Sequence, residues 1–283
     1  MNFGDNLLVI GEGYSANDSN TINHYFSIYS PWENRILKTL DPDDTDCTDY
    51  QVAGDFLLLI NRDKSTMAVY NTRLSLQHTT MPTVLLDNFI ANNPNVCYIG
   101  TDSYEGIAMA VKHLYTLGHK NIAFLNGSLH SMVSEQRQEA FETSMASLGL
   151  EIQQDLMAYG YYVADSAQYH VPGFLSAGAT AIICGNDLIA SGVISECTQR
   201  GFRVPEDISV IGFDDIPLAP AMTPPLTTIR QDRNELGKGA YVVLNSLIHH
   251  ISISKMLMRP QLIERESATR VSKEPRIIKD DLK

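Results

Sequence analysis

One stretch limits the folds open to this chain more than any other. It runs Ile208-Ser-Val-Ile-Gly-Phe-Asp-Asp-Ile-Pro-Leu-Ala-Pro-Ala-Met-Thr-Pro-Pro-Leu-Thr-Thr-Ile-Arg-Gln231. Its opening, Ile208 to Ile211, is a short apolar run of the kind that forms a fully buried parallel strand. A glycine follows, then two adjacent carboxylates, Asp214 and Asp215, where such a strand ends. Open α/β sheets bind ligands outside the carboxyl ends of their strands, which makes both acids candidate ligand contacts. Asp is equally a common cap for a turn or helix, and the local sequence does not choose between the two roles.

Upstream, the same kind of run recurs at intervals. Phe56–Ile60, Pro82–Asp87, Val96–Ile99, Ile122–Leu125 and Ala179–Cys184 read as strands. Helical stretches separate them, around Thr66–His78, Asp102–Gly118, Ser134–Leu148 and Leu188–Gln199, with a last one at about Arg233–His249. The clearest is Asp102–Gly118, where Ile107, Ala110, Val111 and Leu114 fall at helical spacing and Gly118 supplies a stop. Strands alternating with helices predict an α/β fold with doubly wound parallel sheets, in two lobes. Residues 1–60 are less regular: Leu7–Ile10 reads as a strand and Ile22–Leu40 as a helix interrupted at Pro31. No internal repeat or low-complexity stretch stands out.

Several function classes drop away. With 33 acidic against 21 basic residues, the net charge of -12 argues against a broad nucleic-acid footprint, which is usually basic. The four cysteines contain no C-x-x-C pair, and Cys97 and Cys184 sit inside apolar runs, so buried reduced thiols of a cytoplasmic protein are expected. The N-terminus shows neither a signal peptide nor a bilayer-spanning run. No G-x-S-x-G, Walker A loop or H-E-x-x-H is present, so no catalytic residue, metal site or cofactor is assigned. Gly11-Glu-Gly-Tyr-Ser-Ala16 formally matches a dinucleotide fingerprint, but Asn17 to Asn20 reads as a turn where a helix should be under way, and a polar strand-to-helix loop is the better reading. The acidic loop Asp41–Asp46 lacks the glycine and terminal Glu of a calcium loop.

What remains is a set of polar residues just past the buried runs: Asp87, Asp102, Asn126, Asn186, Asp187, Asp214 and Gln231. Carboxylates and amides without a nucleophile suit a neutral hydroxylated ligand, because each sugar hydroxyl both donates and accepts. Arg137 adds a fork of donors. Asp102 and Asp187 each precede a helix and read better as caps.

In these residues the chain resembles the effector-binding core of the LacI/GalR family of bacterial transcriptional repressors, which shares the fold of periplasmic sugar-binding proteins. The resemblance rests on PTVLLDN (82–88), DSYEGIAMAVKHLYTLGHKNIAFL (102–125), residues 137–150, AIICGNDLIASG (181–192), the stretch 201–231 and RPQLIERESAT (259–269). It implies two Rossmann-like lobes joined by three crossovers, residues 1–99 with 232–258 and residues 100–231 with 259–270, followed by a tail at 271–283. A small-molecule effector, a sugar or related metabolite, is expected between them. Asp87, Arg137, Asn186 and Asp214 match effector contacts of the family; Gln231 lies at a crossover and Tyr162 falls near an aromatic stacking position. Ala140 stands where the family usually has glycine, and residues 1–54 do not follow its first strand and helix. The resemblance further implies a homodimer that meets DNA only through an N-terminal helix-turn-helix, which this sequence does not contain. The alternatives are a solute-binding protein serving a sugar transporter and a dinucleotide-dependent enzyme.

Overall fold

In the computed structural model, residues 96–129 and 131–271 are described throughout, with residues 84–86 and the backbone of the strands between residues 2 and 83. Internal contacts divide the chain into two units. Unit 1 comprises residues 1–99 and 239–256; unit 2 comprises 100–238 and 257–283. The chain therefore passes from one unit to the other three times.

Unit 2 is the parallel α/β half. Its strands are β11 (Ile122–Asn126), β12 (Met157–Tyr159), β13 (Ala181–Cys184), β14 (Ser209–Asp214), β15 (Thr227–Arg230) and β17 (Gln261–Ile263). They form one sheet in the order β12-β11-β13-β14-β15-β17, parallel except for the antiparallel edge pair β15–β17. Successive side chains in these strands feed two separate cores, as a strand buried on both faces requires. Ala123, Leu125, Ile182, Cys184 and Val210 join α3 (Ala167–Ser176) and α4 (Asp187–Gln199) on one face. Ile122, Phe124, Ala181, Ile183, Ile211 and Phe213 join α1 (Ser103–Thr116) and α2 (Met132–Ser147) on the other. The Phe124 and Phe141 rings stack at 4.9 Å there, and Ala140 is fully buried among them.

The periodicity of α1 works as expected: Ile107, Ala110, Val111 and Leu114 are buried, and the Asp102 carboxylate accepts from Glu105 N–H at 2.9 Å as its N-cap. The sequence reading missed α3, whose Pro172 and Gly173 disguise it. His119 is buried at the far end of the sheet, where its ring nitrogens meet Thr180 Oγ1 and Thr269 O, both at 2.9 Å. Cys97, Cys184 and Cys197 are buried free thiols, and burial raises the pKa of each; Cys47 lies outside the described residues.

Unit 1 carries a short parallel sheet, β9 (Thr83–Leu86) beside β10 (Val96–Thr101), with β16 (Lys255–Met258) on the other side of β10. Helix α5 (Arg233–Ile248) enters the unit at Gly239 and buries Val243 and Leu247 against Cys97. The rest of the unit departs from expectation. β1 (Asn2–Phe3), β2 (Asn6–Tyr14), β3 (Ile22–Ser30) and β4 (Arg35–Thr39) form one antiparallel sheet. A second consists of β5 (Asp49–Ala53), β6 (Phe56–Asn61), β7 (Thr66–Asn71) and β8 (Leu76–Gln77).

The helices expected at Ile22–Leu40 and Thr66–His78 are thus strand pairs. Their aromatic and β-branched residues, Tyr25, Phe26, Ile28 and Tyr29 in one and Thr66, Val69 and Tyr70 in the other, prefer strands, and pairing with β2 and β6 outweighs the apparent helical spacing. β2 continues unbroken through Gly11 and Gly13, which pair with Tyr25 and Asn23 of β3. The Gly11–Ala16 match is therefore not a turn into a helix, and its residues through Tyr14 offer no phosphate cradle.

Candidate functional site

The parallel strands of unit 2 end together, and their carboxyl tips gather most of the residues singled out from sequence. Arg137 lies one helical turn into α2 and is 3% exposed. Its Nε donates to Ser103 Oγ at 3.3 Å, and Nη1 donates a short hydrogen bond to Gly185 O at the end of β13. The guanidinium sits 3.7 Å from the centroid of the Phe213 ring. A cation over an aromatic face is attracted by the ring quadrupole, more so when desolvated. Alternation along β14 sends Phe213 to the α1–α2 face, beneath Arg137, and leaves Asp214 at the strand tip.

Asp214 has φ +114°, in the region that side chains rarely adopt. Backbone held there is a recurring mark of binding sites, where the surrounding structure fixes it. Half-buried, its carboxylate accepts from Gln231 Nε2 at 2.5 Å. Burial raises the Asp214 pKa above the ordinary carboxylate value, only partly offset by Arg137, the Gln231 amide and Arg233. Asp215 is its opposite. Burial pushes its carboxyl up, but Arg265 at 2.6 Å and Arg230 at 2.7 Å outweigh that and hold it below the usual range. Both its oxygens are engaged in fastening the strand tip to β15 and the segment after β17.

Asn186 takes the capping role expected of Asp187, and Asp187 takes a third role that was not expected. Asn186 is the N-cap of α4: its Oδ1 accepts from Ile189 N–H at 2.8 Å, and its Nδ2 donates to Tyr162 O at 3.1 Å. Asp187 is fully buried. One carboxylate oxygen accepts from the Thr228 hydroxyl at 2.5 Å and the other from Ile216 N–H at 2.8 Å. The group clamps the loop after β14 to β15, and burial pushes its pKa up to about 7. This explains the glycine before Phe213: a Cβ on Gly212 would lie 2.2 Å from Asp187 Oδ1.

Tyr162, at φ +59°, crosses the end of β11. Its hydroxyl is 2.7 Å from Ser134 Oγ and 3.4 Å from Ser131 Oγ at the start of α2. The ring occupies the space over Gly127, where a Cβ would come within 1.9 Å of it. Asn126, 2% exposed, fixes the same corner by donating to Ser134 O and accepting from Gly127 N–H, both at 2.8 Å. Arg137, Asn186, Asp214, Gln231 and Tyr162 thus share one edge of unit 2; Asp87 lies outside the described residues. Sequence reading missed Ser103, Ser134 and Phe213. Ser134 precedes Arg137 by three residues, a same-face helical spacing that was legible. Ser103 and Phe213 carried no local signal, because their role is to hold a guanidinium from another element.

Among the described residues no group of three or more His, Cys, Asp or Glu side chains is placed to hold a metal ion. No helix there is long and apolar enough to cross a membrane.

Comparison with known proteins agrees with this architecture. Residues 111–268 match a family described as periplasmic binding protein-like domain. An HTH-type transcriptional repressor PurR of Pasteurella multocida is 32% identical over 260 residues, covering 90% of this chain and 72% of the relative. A PurR repressor of Haemophilus influenzae (strain PittEE) is 35% identical over 196 residues, 67% of this chain and 58% of the relative. Among solved structures, a sugar-binding transcriptional regulator of the LacI family from Escherichia coli, complexed with phosphate, is 30% identical with a TM-score of 0.60; the match covers 67% of this chain and 69% of that one. A dimeric Lac repressor is 29% identical with a TM-score of 0.61, covering 66% and 69%. The matched relatives are transcriptional repressors rather than enzymes.

Proposed function

Since the chain belongs to the LacI/GalR family of transcriptional regulators, through their periplasmic-binding-protein-like effector-binding core, we propose that the strand tips of unit 2 bind a small hydroxylated effector, a carbohydrate or related metabolite. One observation carries the reading. Asp214 is held in a left-handed backbone conformation at an open strand end, its carboxylate hydrogen-bonded to the Gln231 amide and within the field of the Arg137 and Arg233 guanidinium groups. A half-buried carboxylate with acceptor capacity left over suits a ligand hydroxyl. Arg137 and Gln231 supply donors to the same place, Tyr162 an aromatic wall, and Asn186 fixes that wall through its backbone carbonyl. Asp87 is the further member of the proposed set that the family resemblance implies. One structural relative is a sugar-binding transcriptional regulator, which supports the carbohydrate class.

On this reading the effector shifts the population between two states of a cytoplasmic homodimer, and a helix-turn-helix head, attached or missing, reads the difference on DNA. The two lobes would be those expected from sequence, with Gln231 close to one crossover. A transporter-type solute-binding protein would instead bind its ligand with no coupling to an operator.

Titration calorimetry of the full chain against sugars, nucleosides and sugar phosphates tests the proposal. Once a ligand is found, Asp214→Ala and Arg137→Ala should each weaken it about 10- to 100-fold, the loss expected for a hydrogen bond to a charged group. Unchanged affinity in both variants would remove this edge as the site.

A further inference from the structure

Of the arginines at the strand tips of unit 2, the most deeply buried is one without a counter-charge. Arg230 and Arg265 are half-buried, and both pair with the Asp215 carboxylate, at 2.7 and 2.6 Å. Arg137 is 3% exposed, yet its partners are the Ser103 hydroxyl, the Gly185 carbonyl and the face of the Phe213 ring, all uncharged. Among the described residues no carboxylate lies within ion-pair distance of it, and the same holds for Arg233, exposed at the start of α5. A guanidinium carries five N–H donors in a rigid fork. Nε and Nη1 each engage one, which leaves the second Nη1 proton and both Nη2 protons for another acceptor.

A guanidinium taken out of water without an opposite charge is strongly destabilising, and a ring face beneath it recovers only part of the loss. The positive surplus is local. The chain as a whole carries a net charge of -12, whereas the charges that act on Asp214 are those of Arg137 and Arg233. Burial favours the neutral form of Asp214, and the Gln231 amide holds one of its oxygens, so it opposes a second negative group only weakly. The other two carboxylates of the strand tips are already engaged: Asp215 by its two arginines, Asp187 by the Thr228 hydroxyl and the Ile216 N–H. Helix α2, which carries Arg137, adds to the same sign. Its N-cap Ser131 makes no side-chain hydrogen bond to the first turn, and an open helix N-terminus favours negative charge.

We propose, on the reading of this edge as the effector site, that its ligand carries an anionic group, a carboxylate or a phosphate on a hydroxylated body, and that this group is received by the free fork of Arg137. Paired oxygens of either group match parallel N–H donors, which fixes orientation as well as charge. Arg233 adds a second positive charge, and Asp214 accepts a hydroxyl of the same molecule. A neutral sugar would use the free donors and leave the buried charge unmatched; a sugar acid or sugar phosphate answers both.

Titration calorimetry of the full chain at fixed ionic strength tests this with sodium acetate and with inorganic phosphate, each an anion without a sugar body. Calorimetry is chosen because phosphate raises the stability of any fold through exclusion from its surface. Saturable binding of at least one of the two, weakened about 10- to 100-fold in Arg137→Met, is the expected result. Binding of neither, or binding unchanged in that variant, overturns the inference. Preference for acetate assigns a carboxylate to the ligand, and preference for phosphate a phosphoryl group. Asp214→Asn should bind the same anion about fivefold more tightly, the effect of removing a like charge at close range in water. Should Arg137→Met lose its helical circular dichroism, Asp214→Asn decides, and an affinity equal to or below wild type overturns the inference. A neutral sugar that binds wild type but not Asp214→Ala, in a chain indifferent to both anions, keeps the edge as the effector site and overturns only its anionic group.

Discussion

The two antiparallel sheets of residues 2–77 and the parallel sheet of unit 2 both carry consecutive apolar residues, yet their strands are connected differently. In the antiparallel sheets each strand turns directly into its neighbour, so register is set by short hairpins and the strand ends are consumed by loops. In unit 2 every parallel pair needs a crossover, and α2 to α4 return the chain to the opposite edge. The carboxyl tips of β11, β13 and β14 are thereby left as a row of backbone ends that polar side chains from several elements can reach. Arg137 from α2, Phe213 and Asp214 from β14 and Gln231 after β15 meet there although up to 94 residues separate them in sequence. The lesson is that hairpin connections use up the strand ends, whereas crossovers leave a parallel sheet an open edge.

The sharpest way to break that contrast is Phe213→Ala. The ring is fully buried beneath Arg137, and its removal should cost about 3–5 kcal/mol in urea unfolding followed by the helical signal. If the contrast holds, hydrogen-exchange protection of β2 and β6 stays as in wild type; parallel loss in both regions would show that they fold as one. Arg137→Met comes next. It leaves Gly185 O without its charged donor, and a loss of about 1.5–3 kcal/mol is expected from the same unfolding measurement.

Asp187 provides a pH test confined to unit 2. Its folded pKa, about 7, lies above the ordinary aspartate value of 3.8. Between those values the folded state binds the proton more tightly than the unfolded chain, so this group's contribution to stability falls as pH rises through the window. Urea midpoints at pH 4.5 and 7.5 should therefore differ less in Asp187→Asn than in wild type, and an unchanged difference would place the titrating group elsewhere. The smallest effect expected is that of Tyr162→Phe, which removes the 2.7 Å contact to Ser134 and should cost about 0.5–1.5 kcal/mol by the same melts.

Much of unit 2 was legible from sequence because its signals are local. Apolar runs of four to six residues, helical spacing in α1 and glycines at helix ends marked where each element begins and stops, and the polar residue after each run marked the strand tips. Residues 22–40 and 66–78 misled for the opposite reason. Their aromatic and β-branched residues fit a helical period by accident, and only pairing with β2 and β6 reveals them as strands.

By itself the sequence determined the alternation of strand and helix, the family, and the residue types at the strand tips: Arg137, Asn186, Asp214, Gln231 and Tyr162. Tertiary structure alone decided which of two neighbouring groups does which task. Asn186 rather than Asp187 caps α4, while Asp187 is buried as a clamp on Thr228; Asp214 stays at the open tip while Asp215 is taken up by Arg230 and Arg265. The physical reason is the same throughout: these choices depend on partners that approach from distant segments, and a hydrogen bond or strand pairing across such distances leaves no trace in the spacing of the residues that make it.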